Sequence, residues 1–173
     1  MLKKRIIPTL LWKSFGLVKG KSFESWRRIG TVLPAIKVYN KRDVDELILL
    51  DIDANQDNGA MDLNAVSDFA ENCFVPFSVG GGIVDIEQVR NLLKMGADKI
   101  TINSIIYKNP NLIDEIAKNF GSQSLIISID AKLENKSHQL YSHSGRKRHD
   151  KKLTAFVREL EDRGAGEILI TSV

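Results

Sequence analysis

Apolar residues along this chain fall into short continuous runs separated by stretches with helical spacing. Glu46-Leu47-Ile48-Leu49-Leu50-Asp51-Ile52 is almost unbroken and bounded by acids. A strand of that kind is buried on both faces, the mark of a parallel sheet. Arg5–Leu11 reads as the first strand through Ile6, Ile7, Leu10 and Leu11, with Pro8 tolerable near an irregular end. Pro76–Val79, Lys99–Ile102, Leu125–Asp130 and Glu167–Thr171 are further strands. Between them the spacing predicts helices over Leu33–Asn40, Leu63–Asn72, Ile86–Met95, Asn111–Phe120 and Leu153–Arg163. Gly96, Gly121 and Gly164 stop the last three of these. Lys13–Gly30 reads as a polar loop, functional or mobile, carrying Lys19, Trp26, Arg27 and Arg28. Ala54–Gly59 reads as loop, and Leu133–Asp150 as a long basic loop with room for a small hairpin.

Two pieces repeat. Gly96–Ser104 and Gly164–Ser172 each run from a helix stop through a charged residue and an apolar strand to a polar end. Repeated β-then-α units lead to a (β/α) barrel or a doubly wound sheet. No G-x-G-x-x-G opens a helix after the first strand, which counts against the dinucleotide-binding type. The expected fold is therefore α/β, of the (β/α)8 TIM-barrel type. A complete barrel takes about 250 residues. With six strands in 173 residues, the reading is a single partial barrel domain over 1–173 that lacks its last units.

Composition narrows the partners. A net charge of +3 with interspersed signs gives no case for nucleic acid, and one cysteine, Cys73, fits a reducing compartment. Met1–Pro8 has no apolar stretch of the secretory kind, and no run of about 18 apolar residues is present. A cytoplasmic protein without membrane association is expected. No cofactor is expected, and no metal.

Candidate chemistry centres on Val75–Ile83 and Gly96–Ser104, a strand, glycine turn, helix, strand and polar turn. Gly80, Gly81 and Gly82 let backbone N–H groups approach a ligand without a Cβ in the way, and such groups favour phosphate. A tight turn without a ligand is the alternative, and Asn103-Ser104 at the next strand end favours phosphate. In parallel barrels, ligands gather at the carboxyl ends of strands. Those ends offer Asp51, Gly81, Gly82, Asn103, Ser104, Asp130 and Thr171-Ser172, with Lys132 beyond. A carboxylate there serves as a general acid or base if burial tunes it, and Asp130 is the candidate. At the opposite ends, Arg5, Glu46, Lys99 and Glu167 each begin a strand, as solvated ends or as a paired ring. Arg146–Lys152 reads as a solvated basic loop with some pull on an anionic substrate.

Taken in order, Lys4-Arg5-Ile6-Ile7-Pro8, Asp45-Glu46-Leu47, Leu50-Asp51-Ile52, Val79–Ile83, Gly96–Ser104, Gly121-Ser122-Gln123, Ile129–Lys132 and Gly164–Ser172 resemble the cyclase subunits of imidazole glycerol phosphate synthase, the HisF-like (β/α)8 barrels. The resemblance implies a glutaminase partner on the amino-terminal barrel face, ammonia crossing the interior, and a phosphorylated substrate at the top. It implies an ammonia gate of Arg5, Glu46, Lys99 and Glu167. It places Lys19, Gly82, Asn103 and Ser104 at a phosphate site, where Asp51 and Gly81 are also expected, and Asp130 as an acid–base residue. The family's second acid–base aspartate is absent, because Leu11 stands there in Ile7-Pro8-Thr9-Leu10-Leu11-Trp12. That departure, with Lys19 and Leu50–Ala54, resembles a paralogous set linked to acetamidino modification of surface-polysaccharide sugars. There the barrel conveys ammonia without closing an imidazole. A truncated remnant without activity is the third expectation.

Overall fold

The computed structural model describes residues 3–14, 16–21, 23–54 and 61–172. Six parallel strands form the central sheet, in the order β1 (Thr9–Lys13), β4 (Leu47–Asp51), β5 (Phe77–Gly80), β6 (Lys99–Ile102), β7 (Leu125–Glu134) and β10 (Glu167–Ser172). Helices α1 (Val32–Lys41), α2 (Leu63–Glu71), α3 (Ile86–Lys94), α4 (Asn111–Phe120) and α5 (Leu153–Asp162) alternate with them. This is the (β/α) TIM-barrel type of fold, with six parallel strands among the described residues.

The apolar runs form strands because both of their faces are covered. Leu47, Ile48 and Leu49 are buried, as are all of β5 and the first seven residues of β7. On the outer face they meet the apolar stripes of the helices: Val66 and Phe69, Val89 and Leu92, Leu112, Ile113 and Ile116, and Phe156 with Leu160. Local chemistry fixes the helix starts. Asp62 accepts from Asn64 and Ala65 N–H. Asp85 accepts from Gln88 N–H while Gln88 Oε1 accepts from Val84 N–H, a reciprocal cap.

Two expectations change. The first ladder begins at Thr9 rather than Arg5, although the Ile6 and Pro8 carbonyls accept from Asp45 and Ile48 N–H and keep that stretch beside β4. Lys13–Gly30 is a hairpin, with β2 (Gly16–Lys21) pairing antiparallel to β1 and β3 (Glu24–Gly30) to β2. Its polar composition hid the strands, since neither alternates cleanly. The Leu133–Asp150 stretch does carry the small hairpin it had room for, β8 (Ser137–Ser142) and β9 (Lys147–His149). The expected loop at Ala54–Gly59 lies, apart from Ala54, outside the described residues.

Register decides which side chains look inward. Leu11, Leu50, Gly80, Thr101, Ile126 and Glu167 are successive cross-strand partners, so their side-chain positions share a face. Counting in twos along each strand, Glu46 shares that face with Leu50, Lys99 with Thr101, and Asp130 with Ile126. Charged strand starts and polar strand ends are thus opposite ends of one inner surface.

Candidate functional site

At the amino-terminal end, the four expected charges close into a cycle. The Arg5 guanidinium donates to Glu46 Oε1 and, at 3.2 Å, to Glu167 Oε2. Lys99 Nζ donates to Glu46 Oε2 at 2.7 Å and to Glu167 Oε1 at 2.6 Å. Each cation touches both anions and each anion both cations. Burial alone would push the Lys99 ammonium down, but Glu167 and Glu46 outweigh it and hold it above its ordinary value. Burial likewise pushes the Glu167 carboxyl up, and Lys99 and Arg5 outweigh that and hold it low. Hydrogen bonding to Glu167 leads the causes that raise Arg5.

At the carboxyl ends lies a cavity of about 1170 Å³, lined among others by Leu11, Asp51, Gly81, Gly82, Thr101, Asn103, Ser104, Ser128 and Asp130. Asp130 is 5% exposed, and burial pushes its carboxyl up to about 6, against a hydrogen bond from Asn103 Nδ2 at 3.1 Å. A carboxyl in that range exchanges a proton readily near neutral pH. Asn103 Oδ1, Thr101 Oγ1 and Tyr107 Oη are buried around it without a partner among the described residues. Asp51 is bent inward on its own chain, its Oδ1 accepting from Asp53 N–H at 2.9 Å and Ala54 N–H at 3.3 Å. Burial raises its pKa, and those N–H groups oppose the rise. Asp53 is held low: burial pushes it up, and Lys13 and Ser14 outweigh that.

The glycine turn has a packing reason as well as a ligand reason. A Cβ on Gly81, at φ +123°, would stand 2.0 Å from the Asp51 carbonyl oxygen, and one on Gly82, at φ +64°, 2.6 Å from Ala54 Cβ. Both residues therefore have to be glycine for β5 to leave the sheet beside Asp51. Both still line the cavity.

Of the candidate residues, Asp51, Gly81, Gly82, Asn103, Ser104 and Asp130 share the cavity wall, and Arg5, Glu46, Lys99 and Glu167 share the floor. Lys19 stands apart: it is exposed on β2, opposite Arg27, and does not line the cavity. Sequence reasoning missed Tyr107 and His143, which do line it, and read Lys147, which also lines it, only as part of a solvated basic loop. For Tyr107 a signal existed, because it ends the 3₁₀ turn Ser104–Tyr107 and side chains three apart eclipse in such a turn. His143 and Lys147 arrive through the β8–β9 hairpin, and nothing local announces that. Among the described residues, no group of three or more His, Cys, Asp or Glu side chains is disposed to hold a metal ion, and no helix is long and apolar enough to cross a membrane.

Comparison with known proteins agrees with this architecture. Residues 5–173 match the family described as histidine biosynthesis protein. Over the whole chain, 44% of residues are identical to the imidazole glycerol phosphate synthase subunit HisF of Bacteroides thetaiotaomicron, covering 69% of that protein. The same subunit of Dictyoglomus turgidum is 45% identical, again over 69% of its length. A Campylobacter jejuni protein designated imidazole glycerol phosphate synthase subunit hisF2 is 41% identical, over 68% of its length. By fold, by the match across nearly all its residues and by these identities, the chain belongs to the histidine biosynthesis protein family, on the branch of the HisF subunits of imidazole glycerol phosphate synthase.

Proposed function

We propose that this chain is a cyclase-type subunit of a glutamine-dependent imidazole glycerol phosphate synthase. Ammonia released by a glutaminase on the amino-terminal face passes between Arg5, Glu46, Lys99 and Glu167, crosses the interior and meets a phosphorylated substrate beside Asp130. The observation that carries this reading is the shared inner face: one set of strands bears a closed charge cycle at its start and the cavity at its end. Between them the hydroxyls of Ser78 and Thr101 are buried without partners among the described residues, which suits the passage of a small polar molecule better than a sealed apolar core. Asn103, Ser104 and Gly82 hold the substrate's phosphate. Asp130, with its raised pKa, moves the proton.

A second reading rests on Leu11. It lines the cavity where the family resemblance expects an aspartate, and a hydrocarbon transfers no proton. The chain would then deliver ammonia to a sugar-modifying partner, as the resemblance to the acetamidino branch implies, without ring closure of its own. The two readings separate in one experiment, in which the chain is mixed with its cognate glutaminase and both glutamine hydrolysis and ammonia-dependent cyclisation are followed. Stimulated hydrolysis with cyclisation, increased on Leu11→Asp, supports the synthase. Stimulated hydrolysis without cyclisation in either form supports the conduit. No complex and no stimulation removes both.

A further inference from the structure

The basic stretch near the end of the chain enters the cavity wall in a specific way. Strand β7 is longer than its neighbour β6: Leu125–Ile127 pair with β6, and Asp130–Glu134 pair with β8. Asp130 and Ala131 also pair with β10, so β8 occupies the β7 edge that β6 vacates. The β8–β9 hairpin therefore rises above the end of β6, and its turn docks there, His143 N–H donating to Ser104 Oγ at 3.2 Å. His143 and Lys147 both line the cavity and are exposed. Their basic neighbours face away: Arg148 bonds Gln139 at 3.0 Å and Lys151 pairs with Glu159 at 2.7 Å.

The His143 ring is not loose. Ser142, fully buried, stands with its Oγ 2.8 Å from His143 Nδ1 and 2.8 Å from His149 Nε2. His149 is stacked on Tyr107 at 3.7 Å and 11°. One hydroxyl carries one proton, so it gives that proton to one imidazole and accepts from the other. Burial, followed by the charges of Lys147, His143 and Lys151, holds His149 below its ordinary pKa. Where His149 Nε2 accepts from Ser142, His143 Nδ1–H donates to Ser142 Oγ, and the opposite tautomers exchange both roles. In either arrangement Nδ1 is the nitrogen tied to Ser142, which leaves the other ring nitrogen of His143 for a ligand in the cavity.

We infer that the hairpin tip is a second wall of the phosphate subsite: the His143 imidazole and the Lys147 ammonium close on an anionic ester from the side of Ser104. This deepens the reading of the cavity as a phosphate site and rests on it. The other charged and titratable groups lining the same cavity are Asp51 on β4, Tyr107 and Lys108 after β6, and Asp130 on β7, with His149 and Lys151 near the hairpin. The ligand is a phosphate monoester that gains an imidazole and an ammonium contact that the glycine turn does not supply.

The chain has three histidines, so each imidazole can be followed separately by NMR, with exposed His138 as the internal control. Sodium sulfate is the probe, because it is a dianion throughout the neutral range. Sulfate should move the His143 ring resonances and leave those of His138 in place. His143→Asn, suited to the φ of +53° at that position, should weaken binding by about tenfold. Lys147→Gln should weaken it by about as much. Sulfate binding that moves the Gly82 and Asn103 amides, leaves His143 unmoved and survives His143→Asn unchanged overturns the inference alone. Absence of any sulfate response, at His143 and at those amides alike, overturns the phosphate site with it.

Discussion

The two ends of the inner face contain acids in opposite electrostatic condition. On the floor, Glu46 and Glu167 each meet two cations, and Glu167 is held ionised. At the top, Asp130 has an amide for company, no cation paired with it among the described residues, and a carboxyl pushed up to about 6. Paired charges are fixed charges, suited to a boundary. An underpaired buried acid changes protonation readily, which suits proton transfer and costs the fold stability. The same sheet therefore holds paired carboxylates at one strand end and a buried, underpaired one at the other.

That contrast can be broken first at the top. Asp130→Asn keeps the shape and removes the exchangeable proton, so ammonia-dependent turnover should fall about 10²–10⁴-fold, with glutaminase stimulation unchanged. A variant that retains full turnover would take Asp130 out of the chemistry.

The floor gives the next largest effect. Lys99→Met leaves Glu46, 4% exposed, with one cation in place of two, and should destabilise the fold by about 3 kcal/mol in urea or thermal unfolding. Restoration by the double change Lys99→Met with Glu46→Gln would show that the loss belongs to the stranded carboxylate.

The pH dependence of stability should then differ in sign between the ends. For Asp130 the folded pKa is the higher one. Between the usual carboxylate range and about 6, the unfolded chain releases its proton while the folded chain keeps it, so rising pH weakens the fold. Asp130→Asn should accordingly unfold at a stability about 2 kcal/mol higher than the parent at pH 8, a gap that closes towards pH 4. Glu167, with its folded pKa lowered, works the other way: its contribution is present above the usual carboxylate range and is lost as pH falls through its folded pKa. Glu167→Gln should flatten the acid limb of the stability curve and leave the alkaline limb alone.

The smallest effect belongs to Arg5→Met. The Arg5 side chain is 48% exposed against 15% for Lys99, so water replaces most of what it gives. Its loss should cost clearly less than that of Lys99 and should shrink further in high salt. Equal losses would mean that the cycle acts as one unit.

Much of this was legible along the chain. The β4, β6 and β7 runs announce a parallel sheet because burial on both faces leaves no polar position to spare. Charges at strand starts and small or polar residues at strand ends fall on one inner face because strands have a period of two and parallel strands run the same way. The hairpin at Lys13–Gly30 was not legible, and the one in Leu133–Asp150 was legible only as room within a loop. Both stretches are too polar to show alternation, and their strands pair along the β1 edge that β4 does not use and along the β7 edge beyond the end of β6. Lys19 was grouped with the cavity by resemblance, whereas β2 carries it outside the lining.

By itself, then, the sequence determined the alternation of strand and helix, the parallel sense of the sheet and which residues could carry charge at each end, since all of these follow from local periodicity and burial. The tertiary structure alone decided that four charges from distant strands close on one another, that burial brings Asp130 to the edge of neutrality, and that a histidine 39 residues beyond Ser104 comes to rest against it. Such facts depend on distance through space and on the exclusion of water, and neither is written in the order of residues.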